Sequence, residues 1–222
     1  MRLLLALLFL FPPLAHAEAP PPFSPEARQA LDRAVTSAIK HGDLPGGVLW
    51  LEHRGQIYQQ AYGHRSVEPA EEAMTLDTIF DAASLTKVIA TTPAVLKLVE
   101  QGRLDLDEKV TRYLPEFTGD DNKARVTVRQ LLTHCSGLSA GLRRGYEWQG
   151  YAHGIALACA EPSAGRAGLD YLYSDLNFIL LGEIVHRIAQ QPLNQFAAAQ
   201  VFAPLGMTDT TFLPPADLLP RI

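Results

Sequence analysis

A serine and a lysine lie one helical turn apart in Ser84-Leu85-Thr86-Lys87, at the start of an apolar run that extends to Val99. On a helix the two side chains share a face, so Lys87 is close enough to take the proton that Ser84 must lose to become a nucleophile. Free N–H groups and the helix macrodipole also favour an anion near Ser84. Lys87 acts as a base only if desolvation or a neighbouring cation lowers its pKa. The alternative is that Ser84 is an ordinary N-cap and Lys87 faces solvent.

A second candidate site is the polar break Tyr173-Ser174-Asp175, which precedes an amphipathic segment. A tyrosine just before a helix can present its phenol to a cleft, and a nearby lysine cation favours the phenolate, which can act as a base. Ser174 or Asp175 could instead serve only as an N-cap. Each motif alone fits an ordinary helix start, whereas the two together favour a site for nucleophilic catalysis.

Hydrophobic periodicity and turn residues indicate the elements that would position these motifs. They predict a helix over residues 25–42 that is capped by Ser24, and then a hairpin formed by residues 47–52 and 56–62. The unbroken apolar content of residues 48–51 indicates a strand that is covered on both faces. A loop over residues 68–73 then leads towards Ser84.

Most of the following chain is predicted to be helical. The helix that begins near Ser84 contains Pro93, which lacks a backbone N–H and predicts a kink in the second half of that helix. Thr127 and Gln130 have the spacing of a capping box. Further helices are expected over residues 126–132, 151–159, 175–188 and 193–202.

This order of elements predicts an α+β fold, in which an α/β sandwich with an antiparallel sheet accompanies a mainly helical domain. We assign residues 24–103 to the N-terminal part of the α/β domain and residues 104–222 to the helical domain. One hairpin is not a sheet with two covered faces, so we expect the C-terminal strands of the α/β domain to be absent from this chain.

The first 17 residues have the pattern of a secretory signal peptide, with a positive charge, a short apolar core and the small-x-small cleavage site Ala15-His16-Ala17. A proline-rich leader over residues 18–23 follows. The apolar core is too short to span a bilayer, which predicts an exported protein without a stable membrane anchor, periplasmic in a Gram-negative source. An uncleaved N-terminal anchor is the alternative.

Composition narrows the remaining possibilities. The formal net charge is −5 and forms no basic stripe, which argues against a nucleic-acid partner. Cys135 and Cys159 are the two cysteines; they could pair in an oxidising compartment, but two buried free thiols are favoured. Neither cysteine lies in a spacing typical of a zinc site.

Five stretches of the chain, in this order, resemble the serine β-lactamase and penicillin-binding-protein superfamily. The resemblance is in particular to its class C-like branch of esterases, D-amino acid peptidases and β-lactamase-related hydrolases. The stretches are Phe80 through Lys87, Gly102-Arg103-Leu104-Asp105-Leu106, Leu131-Leu132-Thr133-His134-Cys135-Ser136-Gly137-Leu138, Tyr173-Ser174-Asp175 followed by Leu180-Leu181-Gly182, and Pro204-Leu205-Gly206-Met207.

This resemblance implies that Ser84 is the acylated nucleophile, that Lys87 activates it, and that Tyr173 moves protons in acylation and deacylation. It places Asp175 where many members carry an asparagine that contacts the substrate amide, so Asp175 is the candidate substrate-binding residue. An ionised aspartate only accepts hydrogen bonds, whereas asparagine also donates them. The Ser84 N–H matches one half of the oxyanion hole; the other half and the third motif come, in the family, from a strand beyond the end of this chain. His134 is expected to be structural.

The sequence therefore predicts a secreted serine hydrolase that forms an acyl-enzyme on Ser84. Its small-molecule substrate would be an ester, an amide, a β-lactam or a D-amino acid peptide, and no metal or organic cofactor is implied. The alternative is a catalytically inactive fragment that at most binds cell-wall peptides, since half an oxyanion hole costs about 3 kcal/mol of transition-state stabilisation.

Overall fold

The computed structural model describes residues 23–143, 145 and 147–222. The expected signal peptide, and the expected leader up to residue 22, lie outside the described residues. The chain divides into two compact units: the first ends at Thr78 and also holds Arg221–Ile222, and the second is Ile79–Pro220. This division falls between residues 78 and 79, whereas the boundary expected from the sequence lies between residues 103 and 104.

The first unit combines a helix with a three-stranded antiparallel sheet. The helix α1 (Pro25–His41) begins as predicted, because the Ser24 side chain accepts a hydrogen bond from the Ala27 N–H, and it ends at Gly42, whose φ is 80°. The Tyr58 and Tyr62 hydroxyls both donate to the Asp32 carboxylate of α1. The strands are β1 (Gly46–His53), β2 (Gln56–Ser66) and β3 (Glu72–Ala73), in the order β1-β2-β3.

The predicted hairpin is confirmed, with β1 and β2 paired from Gly46 opposite Gly63 to His53 opposite Gln56. Its two-residue turn, Arg54-Gly55, has positive φ at both positions, as a tight hairpin requires. Two expectations for this sheet were wrong. Residues 72–73 form β3 rather than loop, since two residues are too few to show an alternating pattern. The strand β1 is not covered on both faces among the described residues, because Trp50 is 54% exposed.

The segment that carries Ser84 is helical from Ala83 to Glu100 but is not one continuous α-helix. It starts with a 3-10 turn (Ala83–Leu85), passes through a π-helical segment (Lys87–Thr91) and continues as α2 (Thr92–Glu100). The Thr92 N–H donates to the Lys87 carbonyl oxygen, five residues back. The irregularity thus lies in the first half of the segment, ahead of Pro93, and not in its second half as predicted.

The second unit packs around a central helix, α6 (Asp175–Ala189), which has eight buried residues. Apolar side chains from five other helices join α6 in one core. Thr127 and Gln130 form the predicted capping box. The other helices of this unit are α3 (Val110–Tyr113), α4 (Val128–Leu132), α5 (Tyr151–Ala160) and α7 (Leu193–Ala197), and α7 continues as a π-helical segment (Ala198–Phe202).

Both cysteines are free thiols; Cys159 is buried, whereas Cys135 is only half-buried, which corrects the expectation that both are buried. In the part of the chain that the structure describes, no helix has the length and apolar character needed to cross a membrane.

Candidate active site

Ser84 is exposed and lies in the middle of the 3-10 turn Ala83–Leu85. The residue before it, Ala83, has a φ of 42°, a left-handed conformation that is unfavourable for alanine. The Asp81 side chain holds this turn, because its Oδ1 accepts a hydrogen bond of 2.8 Å from the Ala83 N–H. The serine is thus presented on a strained turn rather than as a helix cap, an arrangement that is common at functional sites.

Lys87 connects the two sequence motifs. Its Nζ donates to Ser84 Oγ over 3.1 Å and to Asp175 Oδ1 over 2.7 Å, although the two motifs are 88 residues apart at this contact. The Lys87 side chain is 14% exposed, whereas the Asp175 side chain is 61% exposed. The structure therefore brings Ser84, Lys87 and Asp175 into one hydrogen-bonded group.

The pKa of Lys87 is raised, not lowered as a lysine base would require. Burial by itself lowers this pKa, but the hydrogen bonds with Asp175 and Tyr173 and the Asp175 charge together outweigh burial. Lys87 is therefore an ammonium cation at neutral pH. The condition under which Lys87 could act as a base, a lowered pKa, is therefore not met, because the Asp175 carboxylate pairs with it.

Tyr173 shows the opposite shift. Its pKa is lowered by hydrogen bonding to Lys87 and then to Ser84, with the positive charge of Lys87 adding to the effect. Lys87 Nζ lies 5.0 Å from the centre of the Tyr173 ring, and the tyrosine is 44% exposed. In this group Tyr173 is the side chain whose basic form is favoured, so the geometry suits a phenolate that accepts the Ser84 proton.

His134 holds the segment that carries Tyr173. The two rings lie 4.4 Å apart with a tilt of 32°, and His134 Nδ1 accepts a hydrogen bond of 3.1 Å from the Ser174 N–H. Burial, followed by the positive charge of Lys87, lowers the pKa of His134, so its ring is neutral. Since Nδ1 accepts, we assign the ring proton to Nε2. His134 is thus a structural neighbour of Tyr173.

Buried polar residues that the sequence analysis did not identify support this arrangement. Asn177 Nδ2 lies 3.2 Å from His134 Nδ1, and Asn177 Oδ1 accepts a hydrogen bond of 2.6 Å from Ser136 Oγ. Ser174 occupies the N-cap position of α6 but makes no capping bond; its Oγ donates to the Ser139 carbonyl oxygen. An asparagine inside the apolar face of α6 was the available signal, because a buried amide needs partners.

No metal site is evident in residues 23–143, 145 and 147–222, where no group of three or more His, Cys, Asp or Glu side chains could hold an ion.

Comparison with known proteins places this group of residues in a family context. The model of the Beta-lactamase family matches residues 31–221. The chain is 37% identical over 202 residues to the esterase EstB of Burkholderia gladioli, and this match covers 82% of this chain and 51% of EstB. It is 28% identical over 210 residues to a putative D-alanyl-D-alanine carboxypeptidase of Escherichia coli (strain K12), and this match covers 86% of this chain and 48% of that protein. The chain thus spans about half the length of the curated relatives it matches.

Solved structures agree with this result. A class C beta-lactamase in complex with cefoxitin matches with a TM-score of 0.76 and 26% sequence identity, over 87% of this chain and 53% of that chain. The predicted α+β fold class is thereby confirmed, and the part of the fold present here corresponds to about half of that structure.

Proposed function

The chain belongs to the Beta-lactamase family, and on this basis we propose that it is a serine hydrolase in which Ser84 is the nucleophile and Lys87 and Tyr173 control the protons. The contact that carries the proposal is the hydrogen bond of 3.1 Å from Lys87 Nζ to Ser84 Oγ, made by a lysine that also lowers the pKa of Tyr173. The relatives reported above include an esterase and a putative carboxypeptidase, both of which fit this reaction class.

The reaction begins with Lys87 as a cation that stabilises the Tyr173 phenolate. Tyr173 takes the proton from Ser84 as Oγ forms a bond to the substrate carbonyl carbon, and the carbonyl electron pair moves onto oxygen. The Ser84 N–H lies in the first turn of the helical segment, where N–H groups lack helical acceptors, and it stabilises this oxyanion. When the tetrahedral intermediate collapses, the bond to the leaving group breaks and Tyr173 gives the leaving group its proton.

Deacylation uses the same groups in the same order. Tyr173 takes a proton from water, the hydroxyl oxygen attacks the acyl carbon, and Ser84 leaves with the proton returned by Tyr173. The substrate class proposed is an ester, an amide or a β-lactam, with Asp175 next to the bound acyl group. Residues 1–17 have the pattern of a signal peptide, so we further propose export, to the periplasm in a Gram-negative source.

Intact mass spectrometry tests the nucleophile directly. The full chain is mixed with p-nitrophenyl acetate, beside the variants Ser84→Ala and Ser37→Ala. Ser37 is an exposed serine on α1 and serves as the matched control. We expect an acyl adduct on the wild type and on Ser37→Ala that is missing from Ser84→Ala. An adduct of equal yield on Ser84→Ala would refute the assignment. A folded chain that gives no adduct would instead favour an inactive protein that at most binds cell-wall peptides.

A further inference from the structure

Asp175 introduces a negative charge beside the group that prepares the nucleophile. Its Oδ1 lies 2.7 Å from Lys87 Nζ, and the same nitrogen donates to Ser84 Oγ. Among the described residues, the Asp175 side chain forms its hydrogen bond and its ion pair with Lys87. Since that side chain is 61% exposed, the carboxylate remains accessible to a molecule that binds at Ser84.

The cations in the segments that build the site are already paired. Those segments are residues 79–92, 134–143 and 166–178, and each contains a single Lys or Arg. A further carboxylate, Asp81, accepts the Ala83 N–H immediately before Ser84. The pairs are Lys87 with Asp175, Arg143 with Glu161, and Arg166 with Asp170.

A bound substrate that carries a carboxylate near its reacting carbonyl group would therefore meet the negative charge of Asp175, and no unpaired cation from the described residues of these segments. An ionised aspartate also offers no hydrogen-bond donor to a substrate carbonyl oxygen. A neutral acyl group avoids the repulsion, and a cationic acyl group gains attraction from Asp175.

We propose that Asp175 determines specificity at this site, which selects neutral and cationic acyl esters and discriminates against substrates with a carboxylate near the scissile carbonyl group. This inference rests on the proposed hydrolase function. It narrows the substrate range of esters, amides and β-lactams to uncharged or cationic members of these classes, since penicillins and C-terminal peptides carry such a carboxylate.

Three p-nitrophenyl esters of similar shape provide the test. Their acyl groups are 5,5-dimethylhexanoyl, which is neutral, 4-(trimethylammonio)butanoyl, which is its cationic isostere, and glutaryl, which is anionic. We expect kcat/KM of the wild-type full chain to favour the cationic ester over the anionic ester by about tenfold or more. The variant Asp175→Asn should reduce that ratio by about tenfold. The ratio is taken within one enzyme, so an effect of the substitution on the chemical step that the esters share cancels from it.

A charge removed elsewhere is the control. Glu100 lies at the last residue of α2, so Glu100→Gln removes one negative charge from the same unit about 24 Å along the helical segment from Ser84. We expect the ratio to be unchanged in this variant. Added salt should lower the wild-type ratio, because screening weakens interactions between exposed charges. This measurement needs no variant, so it still tests whether charge sets the selectivity if Asp175→Asn does not fold.

The outcomes separate the two proposals. Ser84-dependent hydrolysis of the neutral ester with equal kcat/KM for all three esters would refute the selectivity and leave the hydrolase function intact. A wild-type ratio that salt does not change, or one that Glu100→Gln lowers as much as Asp175→Asn, would also refute the role of Asp175. No Ser84-dependent hydrolysis of any ester would refute the hydrolase function and the selectivity with it.

Discussion

Replacing His134 with phenylalanine keeps an aromatic ring beside Tyr173 but removes the nitrogen that accepts the Ser174 N–H. Ser174 is fully buried, so its N–H would be left without a partner, and Asn177 Nδ2 would lose its contact with the same nitrogen. A buried donor that loses its acceptor costs about 1–3 kcal/mol. We expect His134→Phe to lower the free energy of unfolding by an amount in this range at pH 7, measured by urea denaturation.

The same substitution should change how stability depends on pH. In the folded chain, burial and then the Lys87 charge lower the pKa of His134 below its ordinary value of about 6.5. As pH falls through that value, the unfolded chain binds a proton at this histidine before the folded chain does, so the wild type loses stability. The contribution is complete above about pH 6.5 and declines below it. The difference in unfolding free energy between wild type and His134→Phe should therefore narrow as pH falls towards 5.

A second variant separates the ring from the acceptor. Asparagine tolerates the left-handed backbone at this position, where φ is 56°, and it keeps an acceptor oxygen but loses the ring that lies against Tyr173. We expect His134→Asn to lower kcat more than His134→Phe does, with little change in KM, because Tyr173 loses the surface that orients it. If His134→Phe unfolds at the same urea concentration as the wild type, the bond from the Ser174 N–H does not hold this segment and the reasoning fails.

Two further substitutions test the proton chemistry and the backbone. Tyr173→Phe should lower kcat by about 10²–10⁴-fold. The wild type should show a rise of kcat/KM with pH that is complete below the ordinary tyrosine pKa of about 10, and the variant should lack this rise. A variant that keeps the rise would show that another group is the base, with Lys87 as the next candidate. Gly137→Ala should lower the free energy of unfolding by about 2–4 kcal/mol, because φ there is 76° and the new Cβ would lie 2.5 Å from the Gly165 carbonyl oxygen. Gly42→Ala is the control, since Gly42 has a φ of 80° and open space around it, so this variant should lose only the backbone strain of about 1–2 kcal/mol. If thermal or urea unfolding shows the same loss of unfolding free energy for Gly137→Ala and Gly42→Ala, the contact with Gly165 plays no part.

The features of the fold that the sequence predicted well are those that short stretches determine. Ser24 caps α1, and Thr127 with Gln130 starts α4, because each capping bond joins residues three apart. The hairpin turn at Arg54-Gly55 is local in the same sense. The covering of β1 was predicted wrongly, since an apolar run shows that a strand can be buried but not which element lies over it.

Long-range contacts account for what the sequence missed. Lys123 is fully buried, and its Nζ donates to the carbonyl oxygens of Cys159 and Thr118 at 2.6 and 3.1 Å. A lysine is almost never fully buried unless it is paired, so the sequence alone suggests an exposed residue. Asn177 is similar, because its partners Ser136 and His134 precede it by 41 and 43 residues. Buried polar residues are intelligible only once the chain shows where their partners lie.

The assignment of the base shows how such a contact changes a chemical role. The spacing of Ser84 and Lys87 is the same whether the lysine is neutral or charged, so the motif alone supports either a lysine base or a lysine cation. Asp175 decides between them, since its carboxylate 2.7 Å from Nζ helps to raise the lysine pKa above its ordinary value despite burial. A cationic Lys87 in turn lowers the pKa of Tyr173, and for this reason the mechanism that we propose uses the phenol as the base. Asp175 thus acts twice in our proposal: it fixes the charge of Lys87, and it selects the charge of the substrate.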